Sequence, residues 1–425
     1  MRKTVLSIPA ILLSTVAFAG GLGAGPLPSK PATLQSPATA KAKLAPSGNL
    51  TLKEYVGKLT FFDANLSLYS DLSCSGCHSS EVGWTGADAS IDALGAVYMG
   101  SVDGRFGNRK PPSAAYAGFS PVLNQGATVG GMFWDGRATG RTLGDPLAEQ
   151  AMGPFLNPLE QAMPDAASVA GEVCKSKYKG LFKAVWGNDI CNDVDKSFQA
   201  IARSIAAYER SSEVNPFASK YDLYLKGEAK LTASEANGLA LFNVKGKCAQ
   251  CHPSTPGPYE PTHPLFTDYT YDNLGVPKNP LNPFYYNFVS NPSGVHWVDV
   301  GLGGFLNDAT QNGKFKVPTL RNVDQRPYPT FVKAFGHNGY FKSLESIVHF
   351  YNTRDTLGPC SDPLAATDRP GNTCWPAPEY ASTVNHDVGD LKLTPQEEAD
   401  VVAFLQTLTD LSVKTSPRRR SASTD

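Results

Sequence analysis

Apolar residues recur at helical spacing in several separated blocks of the chain. Residues 52–62 read as one helix, and residues 344–351 as another apolar one. Residues 197–210 place Phe198, Ile201, Ile205 and Tyr208 on a single helical face. The stretch Leu231-Thr232-Ala233-Ser234-Glu235 is a capping box, opening a helix that runs through Leu239, Leu241 and Phe242. Thr394-Pro395-Gln396-Glu397 combines a capping box with proline at the first helical position, ahead of a stripe of Val401, Phe404, Leu405 and Leu408. Strand signals are few, and the connections are long and rich in glycine and proline. The expected fold is therefore mainly α, with residues 214–227, containing Pro216 and Gly227, as a hinge.

The chemistry lies in two short stretches, each following one of these helices. They are Cys74-Ser75-Gly76-Cys77-His78 and Cys248-Ala249-Gln250-Cys251-His252. C-x-x-C-H is the pattern of covalent c-type haem attachment. Two thiols on one helical turn can add to the two vinyl groups of a porphyrin, and the next imidazole then lies beneath the iron. A redox dithiol or half a zinc site would also use C-x-x-C, but two copies with the same trailing histidine point to haem. Helix then haem site, repeated, implies two cytochrome c-like units, each carrying one covalent haem, over residues 50–222 and 223–413.

Composition adds compartment and limits. The 425 residues, 41% of them apolar, suffice for two compact units. Residues 1–19 read as a signal peptide, with Arg2 and Lys3 before an apolar run and Ala17-Phe18-Ala19 at its end. That run is too short to span a bilayer, and the expected location is the periplasm. Residues 20–49 read as a disordered leader and residues 414–425 as a solvated basic tail. A net charge of −1 argues against nucleic acid as a partner. Of eight cysteines, four remain after haem attachment. Three pairings are open to them. Cys174 with Cys191 and Cys360 with Cys374 is favoured, because each pair brackets a short polar loop.

Six further stretches resemble the bacterial dihaem cytochrome c peroxidases and their MauG-like relatives. They are FFDANLS (61–67), FWDGRAT (133–139), LAEQAMGPFLNPLEQ (147–161), FTDYTYDNLGVP (266–277), KVPTLRNV (316–323) and HNGYFKSLESIVHFYN (337–352), in the family's order around both haem sites. The resemblance implies that hydrogen peroxide meets the first haem and that the second relays electrons. It makes Glu160 the acid/base residue, with Gln150 lining the same pocket and Trp134 lying between the haems. It also implies one calcium ion, for which Asn108 and the main-chain carbonyls of Lys316 and Pro318 are the matching positions, as hard oxygen donors.

Two departures stand out. No histidine occurs between His78 and His252, and the stretch 98–107 offers only Met99, so an open sixth position is expected at the first haem. At the second haem, Gly336 stands where the family's methionine ligand belongs, flanked by Phe335, His337 and Tyr340. His337 matches the family's non-ligating histidine, and the sixth ligand stays open. His263, His296, His349 and His386 are expected to be ordinary packing or surface residues. Three functions follow. One is a peroxidase fed by a small redox protein (a cytochrome c or a cupredoxin), and another a MauG-like enzyme oxidising a partner protein. The third is a dihaem electron carrier, which has no need of Glu160.

Overall fold

The structure is a computed structural model and describes residues 49–361 and 372–411. The expected signal peptide, the leader before residue 49 and the basic tail lie outside the described residues. Among the described residues, eleven α-helices carry the fold. They are α1 (Leu52–Phe61), α2 (Ala89–Asp92), α3 (Pro146–Leu156), α4 (Ala166–Lys175), α5 (Lys179–Trp186), α6 (Val194–Glu209), α7 (Lys220–Leu225), α8 (Ala233–Asn243), α9 (Gly301–Leu306), α10 (Leu344–Thr353) and α11 (Pro395–Gln406). The described strands are two antiparallel two-residue pieces, β1 (Tyr271–Asp272) and β2 (Phe315–Lys316). Mainly α, as expected.

The expected capping boxes form, Thr232 with Glu235 and Thr394 with Glu397. A third, Thr51 with Glu54, starts α1. Helix α6 begins before residue 197, because the Asp193 side chain accepts from the Lys196 N–H and satisfies the helix end there. The segment expected as a plain hinge contains a helix. Ser219 and Asp222 form a capping box that nucleates α7, a signal the proline and glycine around it obscured.

The two halves repeat one construction. In the first, α1 crosses α6 with Gly57 beneath the Ser204 carbonyl, where an added Cβ would stand 1.8 Å from that oxygen. In the second, α8 crosses α11 with Gly238 beneath the Asp400 carbonyl, where a Cβ would stand 1.9 Å away. Only glycine lets the backbones approach this closely. One turn beyond each glycine an aromatic ring meets an edge-on partner, Phe61 with Tyr208 at 5.6 Å and Phe242 with Phe404 at 5.1 Å. Around these crossings lie two apolar cores. One is built on Val56, Phe155, Phe182 and Ile201, the other on Tyr221, Phe266, Val348 and Leu408.

The four remaining cysteines pair locally, Cys174 with Cys191 and Cys360 with Cys374. The first bridge joins residues 17 apart, a loop for which chain-entropy arguments give about 3 kcal/mol. A Cys174→Ser, Cys191→Ser variant of the holoprotein is expected to show that loss as a lower urea midpoint, with a slope equal to or steeper than the native one because the unfolded chain is no longer tied.

Candidate active site

The first C-x-x-C-H forms a tight turn over Cys74–Gly76, with the His78 N–H donating to the Cys74 carbonyl at 3.0 Å. Both thiols and the imidazole line a cavity of about 140 Å³. His78 Nδ1 donates to the Trp84 carbonyl at 3.1 Å. That bond fixes the tautomer and leaves Nε2 with a lone pair for iron. Burial pulls this imidazole down to about 4, so it stays neutral. Burial also pushes both thiols up, reinforced at Cys74 by the charge of Glu209 and at Cys77 by that of Glu160.

Helix α3 and the turn after it place the two polar groups. Asp145 caps α3 by accepting from the Leu147 and Ala148 N–H groups, and Pro146 pre-sets its first turn. Gln150 projects from this helix into the cavity. Beyond the helix the chain turns at Asn157, whose carbonyl accepts from the Glu160 N–H at 3.0 Å. The Glu160 carbonyl in turn accepts from the Ser101 N–H at 2.7 Å. Gly100 makes this docking feasible, since a Cβ there would lie 2.4 Å from the Leu159 carbonyl oxygen. Glu160 Oε2 is buried without a partner among the described residues and lines the cavity of Cys74, Cys77 and His78. Burial raises its carboxyl above the usual range, against the opposing charge of Arg137 and a bond from Asn157. Met99 is turned into its own loop, accepting from the Gly104 N–H at 3.3 Å.

The second motif repeats the first. His252 N–H donates to the Cys248 carbonyl at 2.9 Å, and His252 Nδ1 donates to the Phe266 carbonyl at 2.7 Å. The cavity, about 240 Å³, is roomier and largely apolar near Phe335, Phe341, Val348, Val401 and Leu405. Gly336 has φ +80°, and the nearest atom to an added Cβ, on Phe341, is 3.7 Å away. His337 is 4% exposed, with Nε2 unpartnered among the described residues and its ring stacked on Phe315 at 3.5 Å. Tyr340 packs in a separate cluster with Phe341, Phe350 and Trp375. His263 stacks on Phe217, His349 bonds Glu398 and the Asn372 carbonyl, and His386 meets Asp355. Neither these three nor His296 lines a haem cavity.

Trp134 lies on the wall of both cavities, 9% exposed, with Nε1 donating to the Lys110 carbonyl at 2.8 Å. His337 meets it edge-on at 6.4 Å. Beside it Arg109 joins the halves, forked onto Asp299 at 2.6 and 2.7 Å and bonded to Asp135 at 2.7 Å. Asn108 lines the first cavity, whereas Lys316 and Pro318 line the second. Their oxygens are hard donors of the type calcium takes, but they are uncharged. The nearby carboxylates Asp135 and Asp299 are held by Arg109, so any calcium held there would bind weakly.

The residues present fit haem at both clefts. Each offers two unbridged thiols, a neutral imidazole with its outer nitrogen already fixed, and buried cations. Lys110, Lys316 and Lys333 line these walls, and burial lowers them to about 8, 7 and 7. Propionates of a porphyrin would restore their charge. The sequence reading passed over Arg109, Lys110, Lys333 and Glu209, and marked Lys316 for its main-chain carbonyl, not its side chain. Glu209 lies one turn beyond Ile205 on the stripe already marked as buried. That position, occupied by a carboxylate, was the available signal.

Two haem clefts sharing one tryptophan, the first holding the buried carboxyl of Glu160 and the second that of Glu379, define a two-haem redox enzyme rather than a zinc or dithiol protein. The chain belongs to the di-haem cytochrome c peroxidase family, which includes MauG, and is an oxidoreductase. A family model for di-haem cytochrome c peroxidase matches residues 52–230. The chain is 34% identical over 364 residues to methylamine utilization protein MauG of Paracoccus denitrificans, covering 84% of this chain and 88% of that one. It is 32% identical over 296 residues to cytochrome c551 peroxidase of Nitrosomonas europaea, covering 69% and 70%. Among solved structures it resembles the diheme peroxidase BthA of Burkholderia thailandensis, with a TM-score of 0.69 and 30% identity over 87% of this chain and 88% of that one.

Proposed function

We propose that the protein is a periplasmic dihaem c-type peroxidase, reducing hydrogen peroxide with electrons from a small redox protein, a cytochrome c or a cupredoxin. Cys74, Cys77 and His78 hold the haem that meets peroxide, and Cys248, Cys251 and His252 the haem that receives electrons. The observation that carries this reading is Glu160 Oε2, buried and unpartnered in the first cavity beside Gln150. An electron carrier has no use for such a group. When bound, the haems supply iron that accepts and donates single electrons, the first also a place for peroxide oxygen.

The chain's own residues do the rest. Glu160 takes a proton from the near oxygen of peroxide and returns it to the far oxygen, which leaves as water. Its raised carboxyl suits both directions of that transfer. The Gln150 amide donates to peroxide and orients it. His78, fixed by the Trp84 carbonyl, keeps its imidazole neutral. Trp134, shared by both cavities, passes electrons between them. Weak calcium binding at Asn108 and the Lys316 and Pro318 carbonyls belongs to this reading, and the metal content of the dialysed protein tests it.

Steady turnover of peroxide with a reduced cytochrome or copper protein is the test of the whole. With Met99 turned away, the resting ferric protein is expected to show a high-spin signal from the first haem by EPR. Two low-spin bis-histidine signals would contradict it. Gly336 supports a second reading, a MauG-like enzyme that oxidises side chains of a partner protein. Losing a thioether ligand lowers the potential of the second haem. That reading predicts a long-lived oxidised protein after peroxide and poor turnover with small donors.

A further inference from the structure

We propose that Glu209 is a second proton-carrying acid of the first haem site, working beside Glu160. This deepens the peroxidase reading and rests on it for its place in turnover. The argument comes from the internal repeat. Measured from the crossing carbonyls of Ser204 and Asp400, Ile205 and Glu209 on α6 correspond to Val401 and Leu405 on α11. Ile205 and Glu209 line the first cavity, and Val401 and Leu405 line the second. In the second half that position is an apolar leucine on the cavity wall. The half that holds Glu160 has a carboxyl instead.

That carboxyl is 5% exposed, and its Oε2 has no partner among the described residues. Burying it so is costly unless it is protonated or used. The titratable and charged groups close enough to feel its charge are Cys74, Tyr208, Arg210 and Asp145. Arg210 is already forked onto Asp145 at 2.7 and 2.8 Å and is partly exposed, so this pair lies on the solvent side. Burial pushes the Glu209 carboxyl up to about 8, against Arg210 and with Asp145 adding to the rise.

The stoichiometry leaves work for such a group. Reduction of peroxide runs H₂O₂ + 2e⁻ + 2H⁺ → 2H₂O. The O–O bond breaks, the peroxide's own protons are redistributed by Glu160, and two electrons arrive singly from the protein donor. Two further protons must enter with those electrons. Glu209 lies between the cavity and the Arg210–Asp145 pair at the surface, where it can take them up and pass them on.

The test uses holoprotein with Glu209→Gln and Glu209→Leu, the latter being the residue the repeat carries at Leu405. In the native protein the potential of the first haem is expected to fall as pH rises through about 8. Reduction is expected to perturb a protonated-carboxyl C=O band in the infrared difference spectrum. Both features should vanish in both variants. Steady-state turnover should fall ~10²-fold. A pH-dependent potential and a carboxyl band that persist in Glu209→Gln would overturn the proposal. If they vanish but the native protein does not turn over peroxide, the peroxidase reading fails and the assignment of Glu209 as the acid stands.

Discussion

Replacing Glu160 by glutamine is expected to lower the rate of reaction with hydrogen peroxide by ~10²–10⁴-fold. Glutamine keeps the shape and the fit to the turn, because the contacts that hold the turn are main-chain ones, to Asn157 and Ser101. What it loses is the ability to accept a proton from one oxygen and deliver it to the other. Stopped-flow mixing of the resting protein with peroxide measures this directly, with the resting visible spectrum as the control for an intact pocket. The pH profile gives an independent check. Burial raises the Glu160 carboxyl, so its base form accumulates only above that raised value. The native rate should therefore climb with pH through it, and the glutamine variant should be flat. An unchanged rate in Glu160→Gln would remove this residue from the mechanism.

The largest expected effect on stability is at Arg321. Its guanidinium forks onto Asp222 with two bonds of 2.9 Å, and the two side chains are 1% and 0% exposed. Its Nε donates to the Pro264 carbonyl at 2.8 Å, and its plane faces Tyr116 and Phe217 at 4.9 and 4.6 Å. One side chain thus ties α7, the chain beside the second haem cleft and the first half together. Removing one partner of a buried pair leaves the other charge unpaired, at about 3–5 kcal/mol. Arg321→Ala should lose that much in urea unfolding of the holoprotein. A double variant with Asp222→Asn should lose less than the sum of the two single changes.

The same pair predicts an acid-side weakness. Burial alone would raise the Asp222 carboxyl, but the bonds and charge of Arg321 outweigh it and hold the group below its usual range. Its folded value is thus below its unfolded one. The stabilisation is complete above the ordinary carboxylate range and is lost as pH falls through the lowered value. The urea midpoint should drop on acidification in the native protein, and less steeply in Asp222→Asn. Equal slopes would show that Asp222 is not the group responsible.

What the sequence determined by itself was whatever is written locally. Haem attachment depends on residues within one turn, so the two C-x-x-C-H stretches could be read without any fold. Their histidines also find main-chain acceptors close by. Thr232 and Thr394 cap helices with partners three residues on, and the two bridges close short loops. Tertiary structure decided everything set by one helix lying on another. Glu209 becomes a cavity residue only because the fold lays α6 along the cleft of Cys74, Cys77 and His78. Trp134 serves two clefts only because the halves meet there. Asp222 caps α7 through a local signal, but its burial is tolerated only because Arg321, distant in the chain, pairs with it. Such contacts follow from how backbones cross and where charge is left without water, and no local spacing records either.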